Sequence, residues 1–153
     1  MYHYTDGGLK NIWLINGYEE IDTPYGKAVS IEDIDGLHRV IGRWLVDLPK
    51  PLTGAEFRFI RHELDLSQKR LADMMGKTEL TIGRWERALD RPVDPAADRL
   101  IRLIYTACTF YADGKPIREL IDRLAELDQV ERAECRLEER QGKWRVKDPV
   151  LAA

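Results

Sequence analysis

The stretch from Leu64 to Arg87 constrains this chain more than any other. Ser67 is placed to cap a helix whose inward residues are Leu71, Ala72 and Met75. Gly76 comes next, at the point where a left-handed backbone costs any other residue most. Thr78 can cap a further helix that buries Ile82 and Trp85 on one face. The pattern predicts two short helices joined by a tight turn. That is the helix-turn-helix arrangement, which lays its second helix into the major groove of duplex DNA.

Helical signals continue on both sides. Upstream, Thr53 and Glu56 fit a capping box, and Phe57, Ile60 and Leu64 form the stripe of the helix it opens. Downstream, Asp94-Pro95 supplies a cap and a first-position proline for a helix with Leu100, Leu103, Ile104 and Ala107. Asp113-Gly114-Lys115 breaks that helix, and Pro116 opens another with Ile117, Leu120, Ile121, Leu124 and Leu127 on one face. This last stripe suits either a dimer seam or ordinary core.

The first 50 residues read differently. Asn11–Ile15 is a short apolar run, Asn16-Gly17 a hairpin turn signal, and Thr23-Pro24-Tyr25-Gly26 a second turn before Lys27–Ile31. These predict a small antiparallel meander. A helix then starts somewhere between Ile31 and Leu37, with Ser30, Asp33 and Asp35 as alternative caps. Its expected stripe is Leu37, Val40, Ile41, Trp44 and Leu45. Pro49 and Pro51 mark a boundary. Near the other end, Arg136-Leu137-Glu138 and Trp144-Arg145-Val146 alternate about Gln141-Gly142, a C-terminal β-hairpin pattern. The expected fold is mainly α with small β elements: a β-meander plus helix over residues 1–50, a five-helix-type helix-turn-helix domain with flanking helices over 51–130, and a hairpin tail over 131–153.

Composition narrows the function classes. Net charge is −3 over 153 residues, which excludes a histone-like polycation. Residues 51–92 are the least acidic part, with eight Lys/Arg against seven Asp/Glu, so any DNA-binding cations must be gathered on one face. No apolar run is long enough for a membrane span, and no secretory pattern opens the chain. Cys108 and Cys135 are far apart and read as reduced thiols of a cytoplasmic protein. His3, His38 and His62 match no metal spacing, and Asp33, Asp35 and Asp47 read as caps and solvated carboxylates. No nucleophile–base pair or glycine-rich phosphate loop appears, so no enzyme and no cofactor is expected.

In a helix-turn-helix, base edges are read from the start of the second helix and one turn on. Those positions here are Thr78, Glu79, Leu80, Thr81, Gly83 and Arg84. Arg84 can bond bidentately to guanine, Glu79 can accept from cytosine or simply favour the helix dipole, and Leu80 or Thr81 can meet a thymine methyl. Gln68, at a helix start, suits a phosphate. Lys69, Lys77, Arg87 and Arg91 are the cations placed to flank the groove.

These residues resemble a known family. Ser67-Gln68, Leu71-Ala72, Gly76 and Thr78 through Trp85-Glu86 look like the Cro/repressor, or XRE, class of helix-turn-helix proteins over about residues 52–106. The resemblance implies a homodimer that represses from a pseudopalindromic double-stranded operator, with half-sites ~10–10.5 bp apart or a multiple of it. It implies a phosphate-contacting Gln68 and base-reading Thr78, Glu79, Leu80 and Arg84. The larger layout, with Tyr4, Gly8-Leu9, Asn16-Gly17, Gly26 and Gly36-Leu37-His38, is similar to antitoxins of the MqsA type. That likeness implies an alternative: an antitoxin that captures a basic toxin protein through its acidic N-terminal segment and represses its own operon. Such antitoxins often hold zinc in CxxC pairs, and this chain has none.

Overall fold

The computed structural model describes residues 1–110, 115–125, 133–146 and 150–151. The elements run β1 (Tyr2–His3), β2 (Trp13–Leu14), β3 (Tyr18–Thr23), β4 (Gly26–Ile31), α1 (Ile34–Asp47), α2 (Gly54–Glu63), α3 (Gln68–Met75), α4 (Glu79–Arg87), α5 (Pro95–Phe110), α6 (Lys115–Leu124), β5 (Ala133–Glu134), β6 (Leu137–Arg140), β7 (Lys143–Val146) and β8 (Val150–Leu151). The chain is thus mainly helical with small β elements. No helix among the described residues is long and apolar enough to cross a membrane.

The helix starts obey local chemistry. Thr53 accepts from the Glu56 amide while Glu56 accepts from the Thr53 amide, a complete capping box on α2. Ser67 caps α3 through the Arg70 amide, and Thr78 caps α4 through the Thr81 amide. Gly76 ends α3 at φ 65°, a left-handed position open to glycine at little cost. The start of α1, which the sequence leaves open, is fixed by Asp33, whose side chain accepts from the Gly36 amide.

One hydrophobic cluster runs from the first residues to α5. Tyr4, Leu9 and Leu14 join Ile41 and Leu45 of α1, Phe57, Phe59 and Ile60 of α2, Leu71 and Ala72 of α3, Ile82 of α4, and Ala97, Ile101 and Tyr105 of α5. A polar chain also crosses these elements. Tyr4 Oη lies 2.6 Å from His38 Nε2, and His38 Nδ1 lies 2.9 Å from Glu63 Oε1. Burial and the nearby Asp6 and Glu63 carboxylates raise the pKa of Tyr4, so it stays a neutral phenol.

Three expectations need correction. The N-terminal strands do not form one meander. β1 pairs with β2, and β3 with β4, in two separate sheets. Asn16-Gly17 is a bend between the sheets, not a hairpin turn: the Gly17 carbonyl accepts from the Glu32 amide, continuing the β3–β4 ladder. The second expected turn does form, with Pro24 and Tyr25 joining Thr23 to Gly26.

The α1 stripe is the second. Ile41 and Leu45 are buried, but Val40 and Trp44 are exposed. The inward face turns instead toward Gly42, where a Cβ would collide with the Tyr105 hydroxyl. On α5, likewise, Leu103 is exposed and the buried set is Ala97, Asp98, Ile101, Ile104 and Tyr105. Asp98 faces inward because its carboxylate accepts from the Leu52 amide at 2.7 Å and from Arg102. A polar residue that satisfies a buried amide is invisible to an apolar-stripe reading.

The hairpin about Gln141-Gly142 forms as expected, β6 against β7. Asp113-Gly114 and Leu127, for which the sequence predicts a helix break and a place on an apolar face, lie outside the described residues.

Candidate nucleic-acid interface

The unit α3–turn–α4 is held from within by three side chains. Arg61 of α2 donates through Nε to both oxygens of Glu86 of α4, at 2.7 and 3.2 Å. Its Nη1 donates to the Leu66 carbonyl, in the connection ahead of α3, at 2.8 Å. Gln68 at the start of α3 donates through Nε2 to Glu86 at 2.8 Å. Arg61 and Glu86 are both buried, so this carboxylate fixes the angle between α2, α3 and α4 with bonds that have no water to compete with them. Sequence pattern alone does not single out Arg61 or Glu86. A charged residue in a short helix reads as solvated unless its partner, 25 residues away, is known.

The end of α4 is tied back to the start of α2. The Gly54 amide donates to the Arg91 carbonyl at 3.0 Å and the Ala55 amide to the Leu89 carbonyl at 3.2 Å. Trp85, half-buried, meets Phe57 edge-on with centroids 5.9 Å apart. It packs toward the core as its place beside Ile82 predicts.

This packing leaves one side of α4 outward. Ile82, Gly83 and Glu86 are buried; Glu79, Leu80, Arg84 and Arg87 are exposed, and Thr81 is half-exposed. Leu80 is 64% exposed, a large apolar side chain at the helix start with nothing over it. Thr78 is exposed and shares a 2.9 Å hydroxyl–hydroxyl contact with Thr81. Thr78, Glu79, Leu80 and Arg84 are thus exposed on α4 and its cap, with Thr81 partly so. Gly83 does not belong to that set. It faces α3, where a Cβ would stand 3.5 Å from Gln68 Oε1 and 3.2 Å from Arg87 Nη1.

The residues read as phosphate contacts divide. Gln68 is half-buried and its amide is engaged by Glu86, so its side chain is a brace. The backbone N–H groups of Gln68 and Lys69 at the first turn of α3 remain directed along the helix start, beyond the bond Ser67 makes to Arg70. Lys69 is exposed and pairs with Asp73 at 3.0 Å. Lys77, Arg87 and Arg91 are exposed, and among the described residues no carboxylate lies within ion-pair distance of them or of Arg84. Arg70, which the sequence does not mark, reaches Asp122 of α6 at 2.7 Å.

Among the described residues no group of three His, Cys, Asp or Glu side chains is placed to hold a metal ion. His62 sits between Arg58 and Arg61, whose guanidinium nitrogens lie 3.5 and 3.4 Å from its Nε2. Burial, and then those two cations, lower its pKa from the ordinary 6.5. Compared with known proteins, the chain matches no family model, no curated protein and no solved structure at a significant level.

Proposed function

We propose that this chain is a sequence-specific double-stranded DNA-binding transcriptional regulator, a homodimeric repressor of the Cro/repressor type that reads a pseudopalindromic operator with α4. One observation carries the reading. On a helix braced to α2 and α3 by Glu86, the side chains able to read bases face outward together while the apolar side is sealed. Arg84 bonds a guanine edge, Glu79 faces the partner strand's amino groups, and Leu80 meets a thymine methyl. Lys77, Arg87 and Arg91, with the amides that open α3, hold the phosphates on either side. The reading assigns no catalytic step. Selection from a random duplex library tests it: the expected product is a two-fold symmetric site, and recovery of no enriched duplex overturns it.

The second reading, an antitoxin that also represses, is favoured by the exposed carboxylates of β3: Glu19, Glu20 and Asp22. Co-expression with the product of an adjacent gene tests it. A stable complex with a basic protein, lost on reversing these three charges, supports that role; free passage of both proteins on a sizing column rejects it.

A further inference from the structure

We infer that β4 is the dimer contact: the β4 edges of two copies pair antiparallel about a two-fold axis at Val29, making one four-stranded sheet. The inference rests on the dimeric part of the function proposed above and supplies its interface.

The β3–β4 hairpin is a two-stranded sheet with both outer edges unpaired among the described residues. Such a ribbon is marginal by itself. The phase of its ladder can be read directly. Its register pairs Thr23 with Gly26, and the Glu32 amide donates to the Gly17 carbonyl at 2.9 Å. Hydrogen-bonded pairs therefore alternate from Gly17 and Glu32 to Thr23 and Gly26. On β4 this turns the N–H and C=O groups of Lys27, Val29 and Ile31 outward. On β3 it turns out those of Tyr18, Glu20 and Asp22.

The two edges differ in what they tolerate. With its outward groups paired to a copy of itself, β3 sets acid against acid for an axis at any residue from Glu19 to Asp22. An axis at Glu20 faces that carboxylate with itself, one at Ile21 faces Glu20 with Asp22, and one at Glu19 faces Glu19 with itself. Like charges directly opposite destabilise a pair, and inward or edge charges are how sheets block a wrong partner. The only charge on β4 is Lys27. With the axis at Val29, Val29 faces its own copy, Ala28 faces Ser30, and Lys27 faces Ile31. No like charges meet, and all three outward residues of each strand find partners. An axis one residue earlier leaves Ile31 unpaired within the strands. Ala28 and Ser30 are exposed and small, so their side chains leave room for a second strand.

Sedimentation of the full chain without DNA tests the contact. The wild type is expected to be a dimer. Val29→Pro removes an outward N–H and no bond within the hairpin, so association weakens at least ~tenfold with the helical circular dichroism unchanged. Glu20→Pro makes the matching change on the other edge and leaves the dimer intact. A monomeric wild type, or a Val29→Pro chain that associates as tightly as wild type, overturns the inference. If both proline variants dissociate, Val29→Cys in a Cys108→Ser, Cys135→Ser background decides. An interchain disulfide on mild oxidation supports the two-fold at Val29, and its absence rejects it. Binding of Val29→Pro to a single half-site duplex separates the two claims. A dimer through β4 that binds no DNA sinks the proposed function and not the interface; a half-site binder with no β4 dimer does the reverse.

Discussion

Arg61 and Glu86 meet at 2.7 Å with side chains 8% and 2% exposed, and Gln68 completes the carboxylate's shell. Removing one partner strands the other charge away from water. Glu86→Ala is expected to cost about 3–5 kcal/mol of stability, read as a lowered urea midpoint. Replacing both, Arg61→Met with Glu86→Leu, should recover most of it, because two apolar groups need no mutual geometry to be content in a core. A Glu86→Ala protein that unfolds at the wild-type urea concentration would show that the pair does not carry the packing.

Arg84 stands on the outer side of α4 with no ion-pair partner among the described residues, so its loss should leave the fold untouched. Arg84→Ala should weaken binding to the selected duplex by about 1–3 kcal/mol and relax preference at one base position. Fluorescence anisotropy on duplexes varied at each position reads both effects. Unchanged affinity together with unchanged preference would remove Arg84 from the reading face.

Lys77 and Arg91 are expected to act differently. Each is exposed and flanks α4 in the chain, where the proposed reading gives it a phosphate as partner. Lys77→Ala and Arg91→Ala should each lower affinity by a similar factor on cognate and unrelated duplexes. Each should also reduce the slope of log affinity against log salt by about 1. A slope that matches wild type for either variant assigns that cation no phosphate.

His62 gives the stability of the fold a pH dependence. Its folded pKa lies below the ordinary 6.5, through burial first and the flanking Arg61 and Arg58 second. The unfolded chain therefore takes up a proton more readily than the folded one. The contribution of the neutral ring is present in full above the unfolded pKa and is lost as pH falls from there through the lowered folded value. Urea midpoints between about pH 7.5 and about pH 5 should decline in the wild type more than in His62→Gln. Parallel curves for the two proteins would refute the assignment.

What could be read from sequence was local. The Thr53 capping box, the Ser67 and Thr78 caps and the Gly76 turn need only neighbouring residues, and all four form. Thr78, Glu79, Leu80 and Thr81 lie in the cap and first turn of α4, where little of the chain packs over them, and Arg84 follows one turn after Leu80. What was missed depends on partners far along the chain. Asp98 faces inward for the sake of the Leu52 amide, and Glu86 for Arg61. Gly42 yields its space to Tyr105, and this rotates α1 away from the Val40–Trp44 stripe. Gly83 fits a groove-facing place by lacking a side chain, yet the room it leaves is occupied by Gln68. The bend at Gly17 kept the glycine that a hairpin would need, and only the Glu32–Gly17 bond shows that the chain passes there from one sheet to the next.

Among the described residues, the buried members of the hydrophobic cluster lie between Tyr4 and Tyr105. The capping, the Arg61–Glu86 lock and the whole outer surface of α4 lie within the same span. A gene shortened to end at Phe110 therefore retains each of these buried side chains and should encode a chain with a single sharp melting transition. On that expectation α6, joined to α3 by the Arg70–Asp122 pair, rests on this body from outside and can be exchanged for another segment at the cost of that contact.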